Sequence, residues 1–226
     1  MMLMRYLRRY EHDTIVEYPE IFMCRYIRML FLILLLILSF VVIALPRYRH
    51  PKLFTGVLTK EDCEYIKTKA EPLLEPSTII GEDDYNEIDM GARVSETAWL
   101  TLDDPVVNSV VQKCIRHTNK SIQNCENLQV LRYKPGGFYK PHYDAHKEKN
   151  MRVHTFILAI NGDYEGGETA FPKLDVDYKL KQGDMLFFDN LNNYGFIPSK
   201  ALHGGKPVKS GEKWICNLWV RKYPYS

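Results

Sequence analysis

The sequence predicts an α+β domain whose strands form a sandwich or jelly roll, preceded by one membrane-spanning helix. Three observations lead there. Met29 to Leu45 is an uncharged apolar run. Two helical patterns lie between that run and Asn127. After Asn127, short runs of β-formers alternate with turn signals.

The apolar run holds seventeen residues and would reach roughly 25 Å, slightly short of a ~30 Å hydrocarbon core. Tyr26 and Arg28 can extend it at one end, and Pro46-Arg47 closes it at the other. A cleaved signal peptide usually starts nearer the N-terminus and ends on small residues; here 28 residues precede the run and Ala-x-Ala is missing. The expected organisation is a tail over 1–28, a signal anchor over 29–45, a linker over 46–55 and a catalytic-sized domain over 56–226. Five Arg precede the run and four basic residues follow it closely, so charge barely orients it. The sequon Asn119-Lys120-Ser121 mildly favours a lumenal domain.

The net charge of +2 is spread without a basic stripe or an acidic tail, so nucleic acid is not an expected partner. Cysteines at 24, 63, 114, 125 and 216 make no metal pattern. Cys63, Cys114 and Cys125 could supply one disulfide in a lumenal domain, or serve as buried free thiols.

The first helix of the domain is expected over Lys60–Leu74, with Thr59 as N-cap and Asp62 three residues on. The second starts at Asp104-Pro105, its apolar stripe running from Val107 through Cys114 to Ile122. Strands are expected at Leu128–Tyr133, His154–Ile160, Thr169–Phe171, Met185–Phe188 and Trp214–Val220.

His142-Tyr143-Asp144 places an imidazole and a carboxylate on one side of an extended chain, where they can share a metal. Alone the triplet also fits a surface His and Asp beside a turn. Fifty-nine residues after Asp144 comes His203, and ten after that Lys213, opening a largely apolar strand. Two histidines and a carboxylate suit a non-haem Fe(II) oxygenase. A buried ammonium needs an anionic partner, which a dicarboxylate co-substrate supplies. His146 is read as a solvated loop residue, not a ligand.

This order resembles the prolyl 4-hydroxylase family. Gly137-Phe138-Tyr139-Lys140-Pro141-His142, Gly166-Gly167-Glu168-Thr169-Ala170-Phe171-Pro172 and Gly183-Asp184-Met185-Leu186-Phe187-Phe188 are family-like blocks, and the similarity runs from about Phe54 to Val220. The resemblance implies a double-stranded β-helix (jelly roll) with supporting N-terminal helices. It implies Fe(II) held by His142, Asp144 and His203, and 2-oxoglutarate held by Lys213 with Tyr133 and Thr169. Arg93, Tyr139, Arg152 and Trp219 would line a peptide groove. O2 would be consumed, succinate and CO2 released, and C4 of a peptidyl proline hydroxylated, with ascorbate restoring oxidised iron.

Two departures put substrate preference in doubt. The family's Arg-Thr-Ser-Ser-Gly segment reads Arg93-Val94-Ser95-Glu96-Thr97 here, and a histidine common two residues after the final tryptophan is Arg221. The rivals are a hydroxylase of another residue or small molecule, and a membrane-tethered binding protein with a degenerate site. The chain has no room for the extra N-terminal regions of collagen-type enzymes, so the expectation is a stand-alone catalytic subunit. Its expected place is the endoplasmic reticulum membrane, as a single-pass type II protein with a lumenal domain.

Overall fold

A computed structural model describes residues 19–80 and 86–225. The chain divides into two compact units, Met1–Pro46 and Arg47–Ser226. In the first, helix α1 covers Pro19–Ala44. The helix therefore starts ten residues before the apolar run and takes in part of the expected tail; the rest of that tail, 1–18, lies outside the described residues. Within α1, Met23–Val42 has a mean hydropathy of 2.3 and is long enough to cross a membrane.

The second unit opens with strand β1 (Lys52–Phe54), inside the expected linker. Helix α2 (Lys60–Ala70) starts at the foreseen capping box, where Thr59 accepts from the Asp62 backbone and Asp62 accepts from that of Thr59. It stops before the expected Leu74 because Pro72 cannot continue the ladder; a 3-10 turn, Glu71–Leu73, follows. Strands β2 (Glu75–Pro76), β3 (Arg93–Val94) and β4 (Glu96–Leu100) come next. Helix α3 (Pro105–Ile115) is capped by Asp104, as foreseen, but ends seven residues before Ile122. There Thr118 donates its hydroxyl to the Ile115 carbonyl and closes the last turn.

Apart from two short two-stranded pairings, Ile79–Ile80 with Asn86–Glu87 and Glu165–Gly166 with Val208–Ser210, the strands that follow are β5 (Leu128–Tyr133), β6 (Phe138–His142), β7 (Arg152–Ala159), β8 (Thr169–Phe171), β9 (Val176–Tyr178), β10 (Met185–Asp189), β11 (His203–Gly205) and β12 (Lys213–Arg221). They form two antiparallel sheets. The larger runs β1-β10-β7-β12-β5-β4-β2 and the smaller β9-β8-β11-β6-β3. This is the jelly roll the sequence led us to expect.

Alternation along β12 explains the two cores. Trp214, Cys216, Leu218 and Val220 turn outward and pack with Ile66 of α2 and Val110 and Cys114 of α3. Ile215 turns inward with Leu131, Ile157, Phe171 and Phe188. The outer core seals one face of the large sheet, so the inner face is free to build a site. Each fully buried Phe or Leu contributes on the order of 2 kcal/mol to this arrangement.

Candidate active site

β6 and β11 pair so that His142 lies opposite His203. Pro141 sits one residue before His142, and the pairing is irregular between His203 and Gly205. Gly204 makes the close approach possible: a Cβ there would lie 2.8 Å from the Tyr139 carbonyl oxygen and 3.0 Å from the Pro141 nitrogen. Asp144 follows just past the end of β6.

One nitrogen or oxygen from each of His142, Asp144 and His203 falls within 4.8 Å of the others. Nε2 of His142 is 3.6 Å from Asp144 Oδ1, and Nε2 of His203 is 3.5 Å from Oδ2. These spacings are long for hydrogen bonds and suit groups that share an ion. The tautomers suit it too. Nδ1 of His142 is 2.9 Å from the Lys140 carbonyl and Nδ1 of His203 is 3.0 Å from that of Ala201. A carbonyl only accepts, so each Nδ1 carries the proton and each Nε2 presents a lone pair. Burial pushes His203 down to about 4, so its ring is neutral at pH 7. Burial alone would raise the Asp144 carboxyl, but His203 and His142 beside it hold it well below the usual range. Two imidazoles and one carboxylate are the donor set of a mononuclear Fe(II) site, and the residues fit that metal.

Lys213 lines the same pocket as His142 and His203 and is 3 % exposed. It faces Tyr133 across β12 and β5, its Nζ 5.3 Å from the tyrosine ring centre. Thr169 lines the pocket from β8. Gly167 stands over the lysine stem, with φ +66° and an imagined Cβ 3.2 Å from its Cδ. Burial, with Lys179 nearby, lowers Lys213 to about 8. It makes no ion pair among the described residues.

A model of the 2OG-Fe(II) oxygenase superfamily matches residues 128–221. Prolyl 4-hydroxylase 13 of Arabidopsis thaliana is 32% identical over 200 residues, covering 78% of this chain and 73% of its own. The chain belongs to the prolyl 4-hydroxylase family. Prolyl 4-hydroxylase 1 of the same plant is 31% identical, covering 73% and 66%. A solved viral collagen prolyl hydroxylase from Paramecium Bursaria Chlorella virus-1, in complex with 2OG, superposes with a TM-score of 0.64 at 30% identity, covering 77% of this chain and 97% of that one. As a member of this family the chain is a 2-oxoglutarate-dependent dioxygenase that uses Fe(II) and O2.

The four expected groove residues stand around the metal end in different ways. Tyr139 stacks on His142, ring centres 3.7 Å apart, and Arg93 lies over Tyr139 at 4.6 Å. Arg93 is buried; its Nε donates to Ser95, while its Nη2 has no hydrogen-bond partner among the described residues. Arg152 lies flat on Trp219 at 3.7 Å, yet its Nε and Nη2 both donate to Glu126, at 2.7 Å each. Arg221 adds a third such bond to Glu126 at 2.7 Å, so its charge is drawn into the protein. The buried Trp219 Nε1 has no partner among the described residues. His146 is exposed, as expected of a loop residue.

Sequence reasoning passed over Glu126, Thr155, Asn190 and Trp99. Trp99 is 47% exposed on β4, its ring 6.1 Å from that of Trp219. Its signal was the β4 alternation itself, Ala98 and Leu100 inward and Trp99 out, in a segment not read as a strand.

Proposed function

We propose that this chain hydroxylates C4 of prolyl residues in proline-rich or collagen-like polypeptides, consuming O2 and 2-oxoglutarate and releasing succinate and CO2. One observation carries the reading: His142, Asp144 and His203 converge, and both histidines line the pocket that also holds buried Lys213. Bound iron would supply the oxygen chemistry that no side chain here can perform.

The chain's own residues then divide the work. His142 and His203 give Nε2 lone pairs to the metal and Asp144 gives negative charge. Lys213 takes the distal carboxylate of 2-oxoglutarate, and the Tyr133 and Thr169 hydroxyls donate to it. Phe171, Phe188, Ile157 and Ile215 keep the inner face dry, which strengthens these contacts. On the peptide side, Arg93 Nη2 and Trp219 Nε1 are buried donors awaiting acceptors. A proline-rich chain offers free carbonyls and lacks amide protons at its prolines, so it matches donors of this kind. Tyr139 and Trp219 give flat aromatic surface against which such a helix packs. Arg152 acts through Trp219, which it braces from behind. Ascorbate would keep the iron held by His142, Asp144 and His203 in the Fe(II) state.

The apolar stretch Met23–Val42 supports a single signal anchor. We read the protein as a type II protein of the endoplasmic reticulum, its domain lumenal and working as a stand-alone catalytic subunit.

The test is turnover of the full chain in detergent against polyproline, collagen-like and proline-free peptides, with products read by mass spectrometry. Gain of one oxygen on proline with matched succinate release is the expected result. No gain of oxygen on any proline-containing peptide, or oxygen placed only on other residues, would overturn it. Replacing His203 by Ala should abolish turnover.

A further inference from the structure

The pocket face of the large sheet carries a run of buried polar groups outside the residues assigned above. Thr155 Oγ1 donates to Asp144 Oδ2 at 2.6 Å. Asn190 Nδ2 donates to the same Thr155 oxygen at 2.9 Å. All three are essentially out of solvent, with Asp144 5%, Thr155 1% and Asn190 1% exposed.

Hydrogen-bond inventory fixes the direction of this run. An ionised carboxylate only accepts, so the single Thr155 proton must point at Asp144. The other side of the Thr155 oxygen then needs a donor, and the Asn190 amide can meet that need only with its NH2 toward Thr155. Its own Oδ1 is left buried without a partner among the described residues. Turning the amide round would set its oxygen against Thr155 and compete for the proton that Asp144 receives. The orphaned oxygen is thus a cost that the fold accepts, and it calls for a reason.

Strand register supplies the placement. Thr155 on β7 lies opposite Phe188 on β10, and the Asn190 backbone N–H bonds to the Val153 carbonyl. The neighbouring pair, His154 and Asp189, turns the other way: His154 Nδ1 is 2.8 Å from Asp189, which also takes Arg49 at 2.7 Å. Alternation therefore puts an ion-pair lock on one side of these strands and the polar run on the other, so Asn190 has little freedom to move away.

We propose that Thr155 and Asn190 are positioning residues for the metal centre: Asn190 orients the Thr155 hydroxyl, and that hydroxyl holds the Asp144 carboxylate at the angle which serves His142 and His203. This rests on Asp144 being a metal ligand. Neither residue touches the metal or the substrates. Their effect is on how well the carboxylate is presented before any metal arrives.

Co(II) is the probe, because its visible bands report binding and ligand geometry without turnover. The apo full-length protein in detergent is titrated with Co(II) under argon, for the parent, Thr155→Val, Thr155→Ser, Asn190→Ala and Asp144→Ala. Outer hydrogen-bond partners of metal ligands typically change affinity about 10–100-fold. Thr155→Val keeps the side-chain shape and loses the hydroxyl, so it should weaken Co(II) binding by about that factor and shift the bands. Thr155→Ser should restore both, and Asn190→Ala should fall between, with the apo melting temperature of the Thr155→Ser variant kept near that of the parent. Equal Co(II) affinity in the parent and Thr155→Val, or a serine variant as weak as the valine one, overturns the proposal. Should Thr155→Val fail to fold, Asn190→Ala decides: unchanged affinity and bands there overturn it. If the parent and Asp144→Ala bind Co(II) alike, the assignment of Asp144 as a ligand is what has failed.

Discussion

At the scale of single residues, the charges around the pocket make two predictions. Lys213 is buried and lowered to about 8, so it is protonated at pH 7 and loses its charge as pH rises through that value. Binding the distal carboxylate needs the ammonium. The 2-oxoglutarate affinity of the iron-loaded, oxygen-free protein should therefore stay level below about pH 8 and fall about tenfold per pH unit above it. Lys213→Ala removes one member of a buried pair, a loss of about 3–5 kcal/mol, or at least roughly 100-fold in affinity. Iron binding should survive in that variant, and the charge-transfer band on adding 2-oxoglutarate separates the two effects. Glu126 carries the second prediction. It holds Arg152 and Arg221 together, so Glu126→Gln should cost about 3–5 kcal/mol. At about 2–4 °C per kcal/mol, the melting temperature should drop by roughly 10 °C, with a higher peptide KM as Trp219 loses its brace. The residues proposed to hold the cofactors were legible because each of their motifs is short: His-x-Asp, then His, then Lys-Trp. Glu126, Thr155 and Asn190 were not, because each works through a partner 11 to 95 positions away, which only strand register brings near.

At the scale of elements, the pairing of β6 with β11 sets the metal site. Gly204→Ala would drive a methyl into the Tyr139 carbonyl and the Pro141 nitrogen. The strands would have to part, so the variant should lose Co(II) binding even though no ligand is changed, and circular dichroism should still show the sheet signal of the larger layer. These two strands escape sequence reasoning because Pro141 and the Gly204-Gly205 pair read as turn signals. Where patterning is strong, sequence and structure agree: Leu128–Tyr133 and Thr169–Phe171 appear with the foreseen bounds. The helix ends went the other way. A hydrophobic stripe continued past Ile115 and Ala70, but Thr118 back-bonding and Pro72 ended the helices first.

At the scale of the whole molecule, the catalytic unit starts earlier than the sequence suggested. β1 pairs with β10 and Arg49 is bonded to Asp189, so residues from Arg47 onward belong to it. A chain cut at Gly56 should melt well below one cut at Arg47, since it lacks an edge strand and an ion pair at the pocket's rear. Sequence alone hid this because a three-residue strand between Pro51 and Gly56 carries too little pattern to be seen. The lumenal reading is checked in intact microsomes. The domain should resist added protease until detergent is supplied, and Asn119, which is exposed, should carry a glycan removable by endoglycosidase. Digestion without detergent would place the domain in the cytosol.

The thiols have a consequence of their own. All five described cysteines are free, and four are buried. Burial raises Cys63 to about 11 and Cys125 to about 12, and raises Cys114 and Cys216 as well. A thiol held protonated is a poor nucleophile and a slow target for peroxide. A dioxygenase that wastes some of its turnovers makes oxidants, and here the four buried thiols lie in the outer core and are kept in their least reactive form. The same fold should also assemble with no help from disulfide-forming enzymes. Produced in a reducing cytoplasm or an oxidising compartment, it should give one melting temperature, unmoved by dithiothreitol.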